Sequence, residues 1–142
     1  MQFIFNYGGR KEAGFKGAAG DCVMRAISIA TEKSYLEVYD TLKELASKER
    51  ITKRRKRKSS IRDGVHKITI HKYLKSIDWK WTPMVLVGQG CKIHLKEDEL
   101  PEGRIIVSLS KHYCAIIDKV INDTHFDDRN GTRCVYGIWS KE

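Results

Sequence analysis

Val23, Ala26, Ile27 and Ala30 recur at helical spacing directly after Asp21, a favoured N-cap residue, and predict a helix that opens at or beside Cys22 and runs to about Thr31. Apolar residues cover most of its circumference, with Arg25 and Ser28 as the polar exceptions, which is the pattern of a buried central helix. A second helix opens with a capping box, Ser34 with Glu37, and carries Tyr35, Val38, Tyr39, Leu42, Leu45 and Ala46 on one stripe. A third helical pattern starts near Asp63 and Gly64 and repeats Ile70, Tyr73, Leu74 and Ile77. Ahead of all three, residues 2–6 read as a short strand, and residues 7–20, with five glycines, as a loop that delivers the chain to Cys22.

Beyond the third helix the helical period disappears. Residues 79–83 read as a short strand, and residues 104–109 form a continuous β-branched run, followed by strand patterns at 112–117, 120–124 and 134–139. Asp118-Lys119 and residues 127–131 between them carry turn chemistry, so the last third reads as a meander of antiparallel strands. Helices first and sheet second define an α+β domain. With no internal repeat, residues 1–142 read as a single domain carrying a basic loop near residues 50–60.

Composition changes this picture little. Hydrophobic residues make up 41% and charged residues 32%, ordinary for a soluble globular protein. No apolar run approaches the ~20 residues of a membrane span, and residues 1–6 lack the charged-then-apolar layout of a secretion signal, so the expected setting is cytoplasmic, away from any membrane. Cys22, Cys91, Cys114 and Cys134 are widely spaced and form no C-x-x-C pair, which suggests neither a disulfide framework nor a zinc ribbon. Cys91 and His94 have ligand-like spacing, but a zinc site needs three or four protein ligands, so a structural role is expected for them. His66 and His71 are five apart, do not share a helix face and are read as surface residues. No metal and no cofactor is expected.

The formal net charge is +9, and the run Lys53, Arg54, Arg55, Lys56, Arg57, Lys58 accounts for six of it, leaving +3 for the rest of the chain. Such a run marks a solvated loop able to contact a protein partner or phosphates. With no aromatic residue interleaved, any nucleic-acid contact there is expected to be weak, salt-sensitive and blind to sequence. Nothing in the pattern fixes an oligomeric state.

The chemistry concentrates at Cys22. A thiol at a helix N-terminus meets unpaired backbone N–H groups and the positive end of the helix dipole, which favour the thiolate. The plainer alternative is a buried cysteine acting as a small hydrophobe. His112 opens a strand 90 residues later and Asp123 lies 11 beyond it, so thiol, imidazole and an orienting group are all present. If Asp118-Lys119 is a two-residue turn, Ile117 pairs with Val120, His112 faces His125, and Asp123 is the diagonal neighbour on the same face. A three-residue turn would flip the parity and make Asn122 the orienting residue instead.

A cysteine opening a central helix early in the chain, a late histidine opening a strand and an Asp or Asn on the next strand resemble the papain-like cysteine peptidases. Asp21-Cys22 behind a glycine-rich loop is similar, more narrowly, to the compact peptidases that process bacteriocin leaders and to small phage and bacterial papain-like proteins. The resemblance implies a papain-like fold and a Cys22, His112, Asp123 triad acting on a peptide or protein substrate. It departs from the family at two positions: the oxyanion-stabilising glutamine six residues before the nucleophile is Lys16, and the aromatic residue after it is Val23. Lys16 is then the expected oxyanion donor beside the Cys22 N–H. Two functions follow as expectations. One is a cysteine-dependent hydrolase or acyltransferase acting on a peptide, isopeptide or other amide bond. The other is an inactive papain-like module that binds a protein or nucleic acid through residues 53–58.

Overall fold

The computed structural model describes residues 1–14, 21–54, 56–60, 64–86 and 88–141. The helix predicted at Cys22 forms over Cys22–Thr31 (α1), and every side chain from Val23 to Ala30 is buried. Its two polar exceptions are satisfied inside: Arg25 bonds Asp21, and the Ser28 hydroxyl lies 3.0 Å from the Gly8 carbonyl and 2.6 Å from that of Lys33. Gly8 has a positive φ of 70°, and a Cβ there would come 3.1 Å from the Arg25 Cα, so glycine is what lets the loop lie against α1. The second helix covers Tyr35–Ser47 (α2), with Ser34 Oγ accepting from the Glu37 N–H at 3.2 Å. The third covers Lys67–Ser76 (α3), with His66 at its N-cap, a few residues later than the pattern predicts.

Among the described residues six strands form one sheet: Gln2–Phe5 (β1), Trp79–Pro83 (β2), Arg104–Leu109 (β3), His112–Ile117 (β4), Val120–Asp123 (β5) and Gly137–Lys141 (β6), in the order β1-β5-β4-β3-β6-β2. Only β3, β4 and β5 form the expected meander. β6 crosses back to pair antiparallel with β3 and β2, and β1 pairs parallel with β5. The departure has a local cause. The Asp118-Lys119 turn is a tight two-residue reversal with φ of 46° and 67°, which keeps β5 beside β4, whereas residues 124–136 are too long and irregular for a hairpin.

Alternation along the central strands splits the core in two. Ile106, Ala115 and Trp139 pack with the three helices, while Ile105, Val107, Cys114, Ile116, Ile121 and Ile138 pack on the opposite side with Leu95, Leu100 and Val135. The segment before β3 supplies that second cover, and a Cys91–Cys134 disulfide ties it to the approach to β6, beside the bridge His94↔Cys134. This corrects the expectation that the cysteines form no disulfide framework. The two partners are 43 residues apart and carry no local spacing signal, because only tertiary packing brings them together. It also removes Cys91 as a ligand partner for His94, whose Nδ1 lies 3.2 Å from Glu99.

Trp79 is buried in the helix-side core, and partly buried Trp81 packs against it. His71, expected at the surface, instead packs against Trp81 and Trp139, with ring centroids at 5.2 and 4.7 Å. Burial, with help from Lys75 and Lys67, lowers its pKa. The Trp81 ring lies across Gly137, where an added Cβ would sit 2.0 Å from a ring carbon. Gly137→Ala is therefore expected to lower stability by about 1–3 kcal/mol in urea unfolding, and to cost less in a Trp81→Leu background where the ring is gone.

Candidate active site

Cys22 is the first residue of α1 and is partly buried. The first intrahelical bond is made by the Arg25 N–H to the Asp21 carbonyl, so the N–H groups of Cys22, Val23 and Met24 precede the ladder and face outward from the helix end. Asp21 occupies the N-cap position as expected, but its side chain makes no capping bond. It turns instead to Arg25 and to the Tyr35 hydroxyl, which donates to Oδ2 at 2.7 Å.

The β4–β5 register pairs Ile117 with Val120 and Ala115 with Asn122, the two-residue-turn parity. His112 and His125 accordingly face each other, ring centroids 5.1 Å apart, and Asp123 Oδ2 sits 2.5 Å from His112 Nε2. With Nε2 engaged, Nδ1 is the nitrogen left for the Cys22 thiol, with which His112 shares a hydrogen bond. Asn122 points the other way: its Oδ1 accepts from Asn6 at 3.3 Å and its amide donates to the Val120 carbonyl, so it does not orient His112. Asp123 Oδ1 is held by the Thr124 N–H at 2.7 Å and lies 3.4 Å from the Arg25 guanidinium.

These contacts set the proton inventory. Burial pushes the Cys22 thiol up, but the hydrogen bond with His112, one from the Tyr113 backbone and the charges of His112 and Arg25 outweigh it, leaving the thiol below its ordinary value. Burial alone would lower His112; its hydrogen bonds and charge interactions with Asp123 and Cys22 raise it to about 9. Asp123, despite burial, is held below the usual carboxylate range chiefly by His112, with the Thr124 N–H and Arg25 contributing. With the thiol lowered and the imidazole raised, the thiolate–imidazolium pair is favoured over the neutral pair, beside an ionised Asp123. Cys114, the other free thiol, is buried and pushed up by that burial.

A cleft of about 780 Å³ opens over the thiol, lined by Cys22, His112, Tyr113, His125 and Tyr136 among others. His112, Asp123 and His125 each present a ligand atom, all within 4.8 Å of one another, and these are the described side chains able to hold a divalent cation. A cation there would compete for the His112 nitrogen that Asp123 now holds.

Three predicted site residues thus come together, and others do not. Lys16 and Arg55 lie outside the described residues. Lys53, Arg54, Lys56, Arg57 and Lys58 are all exposed, and none of them lines the cleft over the thiol. Sequence reasoning missed the network of Arg25 with Asp21 and Asp123, to which Arg10 adds a contact with Asp21 at 3.6 Å. The i,i+4 spacing of Asp21 and Arg25 was the available signal. Comparisons with family models, with curated proteins and with solved structures each found no match to this chain. Among the described residues, no helix is long and apolar enough to cross a membrane.

Proposed function

We propose that this protein is a cysteine-dependent hydrolase or acyltransferase of papain-like architecture, acting on a peptide, isopeptide or other amide bond. The observation that carries the reading is one imidazole, His112, bonded to Asp123 through Nε2 and sharing its other side with a thiol at a helix N-terminus. The Cys22 thiolate attacks the carbonyl carbon, and negative charge gathers on the carbonyl oxygen beside the outward Cys22 N–H. When the C–N bond breaks, the His112 proton passes to the leaving amine and a thioester remains on Cys22. Water or a second amine, giving its proton to His112, then attacks the thioester and releases the thiolate. Asp123 keeps the imidazole in one tautomer and stabilises its charged form throughout. Lys16 is retained in the proposal as a second oxyanion donor. The proposed setting is the cytoplasm.

The second reading, a non-catalytic module that binds a partner through residues 53–58, is favoured by the exposure of the described basic side chains there. A mixed peptide library incubated with the protein, with and without added amines, separates the two. New termini or transfer products are expected with the wild type and absent from Cys22→Ala and His112→Ala, read by mass spectrometry. An identical product list for all three proteins would end the enzymatic reading and leave the binding module.

A further inference from the structure

The charges packed around the thiol cancel one another. Asp21, Asp123 and the Cys22 thiolate stand against Arg25, Arg10 and the His112 imidazolium, all within one chain of contacts. The field that a substrate meets is therefore set by what lies further out along the cleft. There Lys67, at the first turn of α3, and Lys111, in the turn before β4, both line the opening and both are exposed. Neither has an ion-pair partner among the described residues, and no described residue lining the cleft carries a carboxylate.

The basic run is fastened next to this opening. Lys58 Nζ donates to the Ser47 carbonyl at the end of α2, His66 Nε2 lies 2.7 Å from the Arg57 carbonyl, and Ser60 forms a β-bridge with Gly64. Glu49 clamps the arrangement by accepting from both the N–H and the hydroxyl of Ser59 and from the Thr69 hydroxyl. Gly64, the bridge partner of Ser60, and Val65 are cleft wall. The run is thus anchored beside the cleft through the Arg57 carbonyl and the Lys58 ammonium, and the positive potential of its described residues adds to that of Lys67 and Lys111.

We infer that the cleft takes an acidic polypeptide, with Asp or Glu side chains flanking the bond presented to Cys22 and reaching Lys67, Lys111 and the basic run. The cleft favours a peptide over a nucleic acid strand, because its described lining offers hydroxyls, backbone and the His125 and Tyr136 rings around a thiol suited to acyl chemistry, and the basic run has no interleaved aromatic residue on which bases could stack. This substrate class rests on the acyl-transfer reading for its chemistry, but its binding test does not depend on turnover.

The test is fluorescence anisotropy of a fluorescein-labelled Glu-rich dodecapeptide with the full-length Cys22→Ala protein. The expected result is binding at least about tenfold tighter than that of a neutral peptide of the same length, weakening steeply with added salt. Lys67→Gln with Lys111→Gln should weaken binding about tenfold, and Lys67→Arg with Lys111→Arg should preserve it, which separates lost charge from lost fold. Equal affinity for acidic and neutral peptides, an unchanged affinity in the glutamine variant, or tighter binding of a single-stranded oligonucleotide of matched charge would each overturn the inference. Loss of the acyl-transfer reading shows elsewhere, as a Cys22 whose alkylation ignores His112 while the acidic peptide still binds.

Discussion

Replacing His112 by alanine is expected to slow iodoacetamide labelling of Cys22 at pH 6.5 by up to about 100-fold, because a thiol of ordinary pKa is only ~1% thiolate at that pH. In the wild type the thiol is depressed, so its thiolate is present above the depressed value and is lost as pH falls through it. His112 is raised to about 9, so the imidazolium survives up to that pH and disappears above it. Two curves of different shape follow. Alkylation, which needs only the thiolate, should rise as pH passes the depressed thiol value and stay high past pH 9. Turnover of an amide, which also needs the His112 proton for the leaving amine, should fall again as pH passes about 9. Peptide mapping of the labelled protein provides the control within the same sample, since buried Cys114 should stay unlabelled while the fold holds. Equal labelling of wild type and His112→Ala would mean that the two side chains do not share a proton.

Substitution of Arg25 by methionine is expected to cost about 3–5 kcal/mol of stability, measured by urea unfolding, although Arg25 lies outside the reacting trio. Asp21 and Asp123 are both buried, and Arg25 reaches each of them from one turn of α1. Methionine would keep the helix and most of the volume but leave two buried carboxylates with one cation fewer. Arg25→Lys should fall between, because an ammonium keeps the charge but not the fork that spans two carboxylates. The damage should also reach the thiol, since Arg25 is one of the charges that lower Cys22. A Met variant within ~0.5 kcal/mol of wild type would show that Asp21 and Asp123 are compensated by other groups.

Local chemistry was legible where one element decides the outcome. The start of α1 at Cys22, the Ser34 cap and the Asp118-Lys119 turn all follow from short-range rules, and the turn parity alone chose Asp123 over Asn122. What escaped was set by elements distant in sequence. β1 lies parallel to β5 because the Asn6 N–H bonds the Asp123 carbonyl and the Asn6 amide bonds Asn122, contacts that no periodicity encodes. The disulfide belongs to the same class, as does His71, whose helical position marks it as exposed although Trp81 and Trp139 close over it from the sheet. Asp21 misled in the opposite way. Its residue type fits an N-cap, and only the approach of Tyr35 and Arg25 shows that its carboxylate is spoken for.

The reacting side chains come from the beginning and the end of the chain: Cys22 leads α1, while His112 and Asp123 belong to β4 and β5. Neither half carries the thiolate by itself, because the imidazole that stabilises it arrives only when α1 docks against the finished hairpin. Such long-range closures are slow relative to helix or hairpin formation. The acidity of one sulfur atom is therefore a clock for the last stage of folding. During refolding, pulses of a thiol reagent would find Cys22 sluggish while the chain still has free ends, and quick once they have met.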